Sequence, residues 1–397
     1  MALPLLPATE PAVLTPPVIV APAPREVSFG TVAGRVDPRT VRIVVRVDGV
    51  KKAERALPPP TGSPRATPFR LRVALPPHDA TVKVVAFDGA GNRSSTAVGP
   101  VYGLPAAGAP RTVLSSEDRV LARRIRRLVR DYSGISGVFV QDLRTGRGAA
   151  WNARARYPAA STVKLAIAVE VLRVARGKPR PGTWLARTFR SMLVYSSNAA
   201  ANELEIWLGG SMTAGSARVT ETLRRLGLVD TSVNGGYIVG TSSRRPIPLR
   251  IESQPPYFTF GKYTTASDLA RLHRFTHRAA AGRGPLLELP GHFTAADARY
   301  LLFTLAHVRD PGKLDRYIGR WPGVSVLHKA GWITNARHDS ALVFWRGGAY
   351  VVAVMTWHPV EATGSADVLA GRIARIALRR FAVPRPRTEP HAWLLES

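Results

Sequence analysis

The sequence contains no cysteine, which excludes disulfides, thiolate-bound zinc and a cysteine nucleophile. Lysine is nearly as scarce, with 8 lysines beside 48 arginines. Guanidinium stays charged wherever a protein survives, so an amine that must shed its proton has to be lysine. Acidic residues are few: 27 against 56 basic ones give a formal charge of +29. No apolar run approaches the ~20 residues that span a bilayer, so the chain is not read as transmembrane. No phosphate-cradling glycine loop is present. The first 24 residues hold no lysine or arginine and are broken by prolines, so they lack the basic start and continuous apolar stretch of a secretory signal. A protein acting outside the cytoplasm would carry that signal upstream of this Met1.

What is present is the composition of a globular chain, 45% hydrophobic and 21% charged over 397 residues, enough for one large core or two smaller ones. The charge raises the question of nucleic acid, but it is spread as +6 over residues 1–110 and +23 over 111–397. No nucleic-acid motif accompanies it. No specific nucleic-acid binding is expected, and attraction to an anionic cell-envelope polymer is the alternative partner.

Residues 1–27 are proline-rich and predict an extended, poorly ordered lead. From 28 to 103 the pattern alternates with period two, as in Val41-Arg42-Ile43-Val44-Val45-Arg46-Val47 and Val82-Lys83-Val84-Val85-Ala86-Phe87, with turns at Asp48-Gly49 and Asp88-Gly89. That predicts a small all-β sandwich, whose Phe87-Asp88-Gly89-Ala90-Gly91-Asn92 close resembles bacterial immunoglobulin-like modules. Residues 104–112 read as a linker. A second domain, 113–383, opens with a capping signal at Ser115-Ser116-Glu117-Asp118 and a helix with the stripe Leu121, Ile125, Leu128, Val129 and Tyr132. The arginines 119, 123, 124, 126, 127 and 130 form its solvated face. A hairpin follows from Val138 to Trp151. Helices are expected at 161–176, 183–194, 197–208, 216–226, 265–280 and 294–307. Strands return at 324–329, 340–345 and 350–357, before a last helix at 365–380 and a tail at 384–397. The fold class expected is α+β, an antiparallel sheet from both ends of this domain with a helical insert.

Three short pieces carry chemistry: Ser161-Thr162-Val163-Lys164, Ser196-Ser197-Asn198 and Lys329-Ala330-Gly331. Ser161 and Lys164 stand one helical turn apart on one face. A serine hydroxyl becomes a nucleophile when a base takes its proton, and a lysine can do so once burial or a second cation lowers its pKa. Lys329 is that second cation, and Ser196 would sit between the amines and pass a proton to a leaving nitrogen.

Together these motifs resemble the penicillin-recognising serine enzymes, class A β-lactamases among them, over residues 115–380. Ser196-Ser197-Asn198-Ala199-Ala200-Ala201-Asn202 and Tyr263-Thr264-Thr265-Ala266-Ser267-Asp268-Leu269-Ala270 extend the likeness. The resemblance implies the α/β-α fold, no cofactor and no metal, and a β-lactam or peptidoglycan stem-peptide substrate. It also implies an extracellular or envelope-associated enzyme. Ser161 would be the nucleophile, Lys164 the base, Ser196 the relay and Lys329 the supporting cation. Asn198 would bind the substrate's side-chain amide, Gly331 and Trp332 would shape the oxyanion hole, whose donors are the N–H groups of Ser161 and Trp332, and Arg337 would pair with the substrate carboxylate.

The pattern also departs from the family. Ala330 replaces a hydroxyl residue, Ser197 an Asp, and Tyr263 stands where the loop's closing Asp belongs. Glu252, after Arg250, is the candidate deacylating base, but Pro256 occupies the place of the expected Asn. Three readings follow: a β-lactamase, a D,D-peptidase-like enzyme with slow deacylation, and a non-catalytic basic envelope protein. His273 and His277, four apart without a third ligand, are expected to be surface residues and not a metal site. His338, Asp339 and Ser340 cannot converge as a triad, because neighbours on a strand alternate faces.

Overall fold

The structure is a computed structural model, and it describes residues 13–58, 65–239, 261–310 and 312–382. The first region builds two sheets from β1 (Val18–Ala21), β2 (Glu26–Ser28), β3 (Thr31–Val36), β4 (Thr40–Val47), β5 (Val50–Ala56), β6 (Thr67–Arg72), β7 (Asp79–Asp88) and β8 (Arg93–Gly103). Their orders are β1-β3-β6 and β2-β8-β7-β4-β5. Inward residues of the alternating runs, Val32, Ile43, Val45, Phe69, Val82 and Val84 among them, fill the space between. This agrees with the all-β expectation.

Two expectations fail here. The stretch read as an extended lead supplies β1, whose Val18 and Ile19 pair with Arg35 and Gly34 of β3, and it also opens β2. Val18-Ile19-Val20-Ala21 is a proline-free, β-branched run bracketed by Pro17 and Pro22, so it can add an edge strand despite the prolines around it. The stretch read as a linker is packed. Leu104 is buried, and a Cβ on Gly108 would lie 2.7 Å from the Phe344 ring. The Gly108 carbonyl also lies 2.7 Å from His277 Nε2.

The second region contains β9 (Ser116–Glu117), α1 (Arg119–Arg130), β10 (Ile135–Asp142), β11 (Arg147–Trp151), β12 (Tyr157–Pro158), α2 (Lys164–Ala175), α3 (Trp184–Val194), α4 (Asn198–Gly209), α5 (Met212–Arg225), β13 (Tyr263–Thr264), α6 (Ala266–Ala280), α7 (Ala295–Leu305), β14 (Ser325–Ile333), β15 (Ala336–Trp345), β16 (Gly348–Trp357) and α8 (Gly364–Ala382). Its main sheet has the order β14-β15-β16-β10-β11-β9. Both ends of the domain thus meet at the antiparallel β10–β16 pair. Helices α1 and α8 cover one face through Leu121, Ile125, Val352, Leu369 and Ile373. The helical insert covers the other, with α6 across β10, β15 and β16. Every residue of β16 is buried, as a strand covered on both faces requires.

Helix α1 starts later than its capping signal suggested. Ser116 and Glu117 pair with β11 as β9, and Asp118 is the N-cap, accepting from Leu121 N at 3.1 Å. Its six arginines are exposed, as read from the pattern. The two regions meet at Glu26, which is buried and ion-paired to Lys178 at 3.0 Å and Arg299 at 2.6 Å.

Candidate active site

Ser161 does not lie inside α2 but in the tight turn that feeds it. Thr162 N bonds to Ala159 O at 3.2 Å and Lys164 N to Ser161 O at 3.2 Å, an i→i+3 pattern typical of a 3₁₀ entry. Ala160, just before the serine, holds φ +48°, a left-handed conformation costly for a residue with a Cβ. The turn is fixed from below by the β12–β13 pair and by Ala159 N donating to Lys262 O at 2.8 Å. Strand β14 presses on it from the side. A Cβ on Gly331 would lie 2.5 Å from Ser161 N, so glycine is what lets the strand pass the Ser161 amide.

Ser196 occupies the turn between α3 and α4 and also has positive φ, +59°. That conformation lets one residue face both amines. Its carbonyl accepts from Lys164 Nζ at 2.5 Å, and its hydroxyl accepts from Lys329 Nζ at 2.9 Å. Lys164 Nζ also donates to Asn198 Oδ1 at 2.7 Å. The expected four, Ser161, Lys164, Ser196 and Lys329, therefore come together at one place, although no hydrogen bond joins Ser161 to Lys164 among the described residues. Ser161, Ser196, Asn198, Gly331 and Trp332 line a cleft of about 730 Å³. Trp332 stands half-exposed at its mouth.

Electrostatics separates the two amines. Both lysines are fully buried. Burial, reinforced by the charge of Lys329, lowers Lys164 to about 6. Burial also lowers Lys329, but Asp310 and Asp339 offset part of that, and it reaches only about 8. Near neutrality Lys164 is a free base while Lys329 is mostly an ammonium ion. Two like groups driven apart by their surroundings are suited to different tasks, one to accepting a proton and one to supplying positive charge.

Arg337 does not enter the cleft. Its fork closes on Asp367 of α8, with Nε at 3.0 Å and Nη2 at 2.7 Å from the two carboxylate oxygens. A bidentate pair of this kind satisfies the guanidinium locally, so the substrate-carboxylate expectation is replaced by a strand-to-helix tie. Asn198 is partly committed as well: besides accepting from Lys164, its Nδ2 donates to Ile238 O at 2.8 Å. One amide N–H remains for a ligand.

His273 and His277 are not surface residues. Both are buried in α6. His273 Nε2 lies 3.0 Å from Ser340 Oγ, and burial lowers both rings to about 4. Among the described residues no cluster of three metal-ligating side chains exists. His338, Asp339 and Ser340 diverge as alternation requires: His338 Nε2 faces Pro158 O at 2.8 Å, and Asp339 faces His328 Nδ1 at 3.0 Å. Glu252, Arg250 and Pro256 lie outside the described residues. Among those residues no helix is long and apolar enough to cross a membrane.

The family model described as "Beta-lactamase enzyme family" matches residues 120–183 and 178–381. The chain belongs to the β-lactamase enzyme family. Similar solved structures of this fold include PBP-A, 20% identical, covering 68% of this chain and 98% of that one with a TM-score of 0.53. A PBP-A mutant in an acyl-enzyme complex with penicillin G is 21% identical, with the same coverages and TM-score. A β-lactamase from Sphaerobacter thermophilus DSM 20745 is 20% identical, covering 67% of this chain and 98% of that one, with a TM-score of 0.51. No curated protein matches the chain.

This β-lactamase-family site contains three residues that sequence reasoning passed over: Lys262, Glu205 and Tyr237. Lys262 also lines the cleft. It is one of the 8 lysines, and that scarcity alone could have drawn attention to it. Glu205 falls seven residues after Asn198 on α4, the same helical face.

Proposed function

We propose that the chain is an acyl-transfer hydrolase that opens a β-lactam, or a related acyl-D-alanyl amide, through an ester on Ser161. Neutral Lys164 takes the Ser161 hydroxyl proton as the oxygen attacks the amide carbonyl. The oxyanion collects between the N–H groups of Ser161 and Trp332. As the C–N bond breaks, Ser196 gives its proton to the leaving nitrogen and takes up the proton that Lys164 accepted, while the Lys329 ammonium beside it steadies its oxygen. Water then attacks the ester, releasing the acid and returning the proton to the serine. The observation that carries this reading is Ser196 held between two buried amines of different basicity, its carbonyl on Lys164 and its hydroxyl on Lys329.

The slow-deacylation reading has its own support. The Tyr237 ring packs on Lys164, with Nζ 4.6 Å from its centroid, and fills a side of the amine from which a carboxylate-activated water would have to approach. Such an enzyme would act at the cell envelope, where its charge of +29 meets anionic polymers, with the N-terminal sandwich as an immunoglobulin-like spacer.

Intact mass after incubation with a penicillin tests the reading. A covalent adduct is expected on the parent chain and none on Ser161→Ala. Persistence over hours marks the peptidase-like enzyme, and loss within seconds the β-lactamase. No adduct on the parent, or an adduct on the alanine variant, refutes the assignment.

A further inference from the structure

Helix α4 carries three polar side chains on one face, Asn198, Asn202 and Glu205, and the first two bond directly to the same short wall of the cleft. Asn198 donates to Ile238 O at 2.8 Å. Asn202 clasps Tyr237 on both sides, donating to its carbonyl at 2.9 Å and accepting from its N–H at 2.6 Å. Glu205 does not reach the wall itself. It is fully buried, neither carboxylate oxygen makes a well-formed hydrogen bond among the described residues, and its ionic partner there is Lys262 Nζ at 3.4 Å.

Lys262 completes the arrangement. Its ammonium donates to the carbonyls of Asn234, Gly235 and Gly236, the first at 3.2 Å and the last at 3.4 Å. It also lies 4.5 Å from the centroid of the Tyr237 ring. Lys164 lies 4.6 Å from the same centroid, so one aromatic ring has two lysine amines against it. Gly236 lets this wall pack close to α4 and α5, since a Cβ there would lie 2.2 Å from Met212 Sδ and 3.1 Å from Asn202 Oδ1. A buried carboxylate with so little hydrogen bonding is not there for stability alone.

We propose that Lys262, held by Glu205, is a positioning residue of the acyl-transfer centre: its ammonium gathers the 234–236 carbonyls and so keeps the Tyr237 ring closed over the Lys164 amine. The proposal rests on the acyl-enzyme reading above and adds a residue pair to it. Among the described residues, the charged and titratable groups facing Lys164 are Lys329 from β14, Glu205 from α4, Lys262 beside β13 and the Tyr237 ring. Desolvation is the largest influence on Lys164, Lys329 and Lys262 lower it further, and Glu205 raises it. Glu205 is itself pushed up by burial to about 7. The two members of the pair therefore act on Lys164 with opposite sign.

That opposition gives the test. The rate of Ser161 acylation by a penicillin is measured from about pH 5 to pH 9 for the parent, Lys262→Met, Lys262→Arg and Glu205→Gln. Lys262→Met opens the wall and hydrates Lys164, so its acid limb moves up by about one unit, about a tenfold slower rate on the limb. Lys262→Arg restores the gathered carbonyls and returns the limb toward the parent position. Glu205→Gln removes the anion that favours the charged amine; with Glu205 near 7 that anion is a minority on the limb, so its limb moves down by much less than about one unit. Titration of ¹⁵N-labelled lysine Nζ, with Lys164 assigned through Lys164→Arg, reads the same shifts without substrate. It decides the proposal even where Ser161 proves unreactive. Thermal melting identifies folded variants, and Lys262→Arg and Glu205→Gln carry the test if Lys262→Met does not fold. Limbs and titrations that stay in place, or move together, overturn it.

Discussion

Two buried glutamates on neighbouring helices show how differently one domain treats a carboxylate. Glu170, midway along α2, accepts from Arg173 at 2.8 and 2.6 Å, from Arg218 at 2.8 Å and from Thr222 at 2.8 Å. Glu205, on α4, is equally buried but among the described residues has Lys262 at 3.4 Å and no well-formed hydrogen bond. The first region is saturated, and its charges hold α2 to α5. The second is left short of partners, and its amines and carboxyl are shifted far from their ordinary values. A fully paired buried charge contributes structure, whereas an underpaired one keeps its proton in play. The underpaired region is also the one that contains Ser161 and Ser196, with Ala160 and Ser196 held at positive φ.

The largest effect should come from breaking the saturated region. Glu170→Ala leaves Arg173 and Arg218 without their anion and should cost about 3–5 kcal/mol in denaturant unfolding, while the acid limb of acylation stays where it is. A limb that moved with it would merge the two regions into one network. A smaller effect is expected at Arg337, which the family pattern assigned to substrate and the structure assigns to Asp367. Arg337→Ala should lower stability by about 1–2 kcal/mol and leave the acylation rate within about threefold. A much larger loss of rate at unchanged stability would return Arg337 to the cleft.

Much of this was legible in the chain. The fold class followed from period-two runs at both ends of the second domain with helical periods between them, because only an antiparallel sheet joins such ends around an insert. The meeting of Ser161, Lys164, Ser196 and Lys329 was legible because each belongs to a short motif whose chemistry restricts residue type. Strand β1 was missed because prolines at 16, 17 and 22 masked the four β-branched or small residues between them. The burial of His273 and His277 was missed because spacing on a helix does not say which face meets the sheet. Arg337 misled because a motif gives a position and not the direction of a long side chain, and Asp367 is 30 residues away in sequence. Glu205, Tyr237 and Lys262 belong to no common motif. Their meeting depends on how the chain returns from α4 to β13, which local pattern does not encode.

The central claim is that Lys164 is a free base at neutral pH, and the pH dependence of Ser161 acylation by a penicillin in the parent chain tests it most directly. Lys164 stands near 6, pushed down chiefly by burial and then by Lys329. Protonation disables it, so the rate should climb about tenfold per pH unit below that value and level off above it. A rate that kept climbing through neutrality toward the ordinary lysine value of 10.5 would show a charged Lys164 and contradict the account.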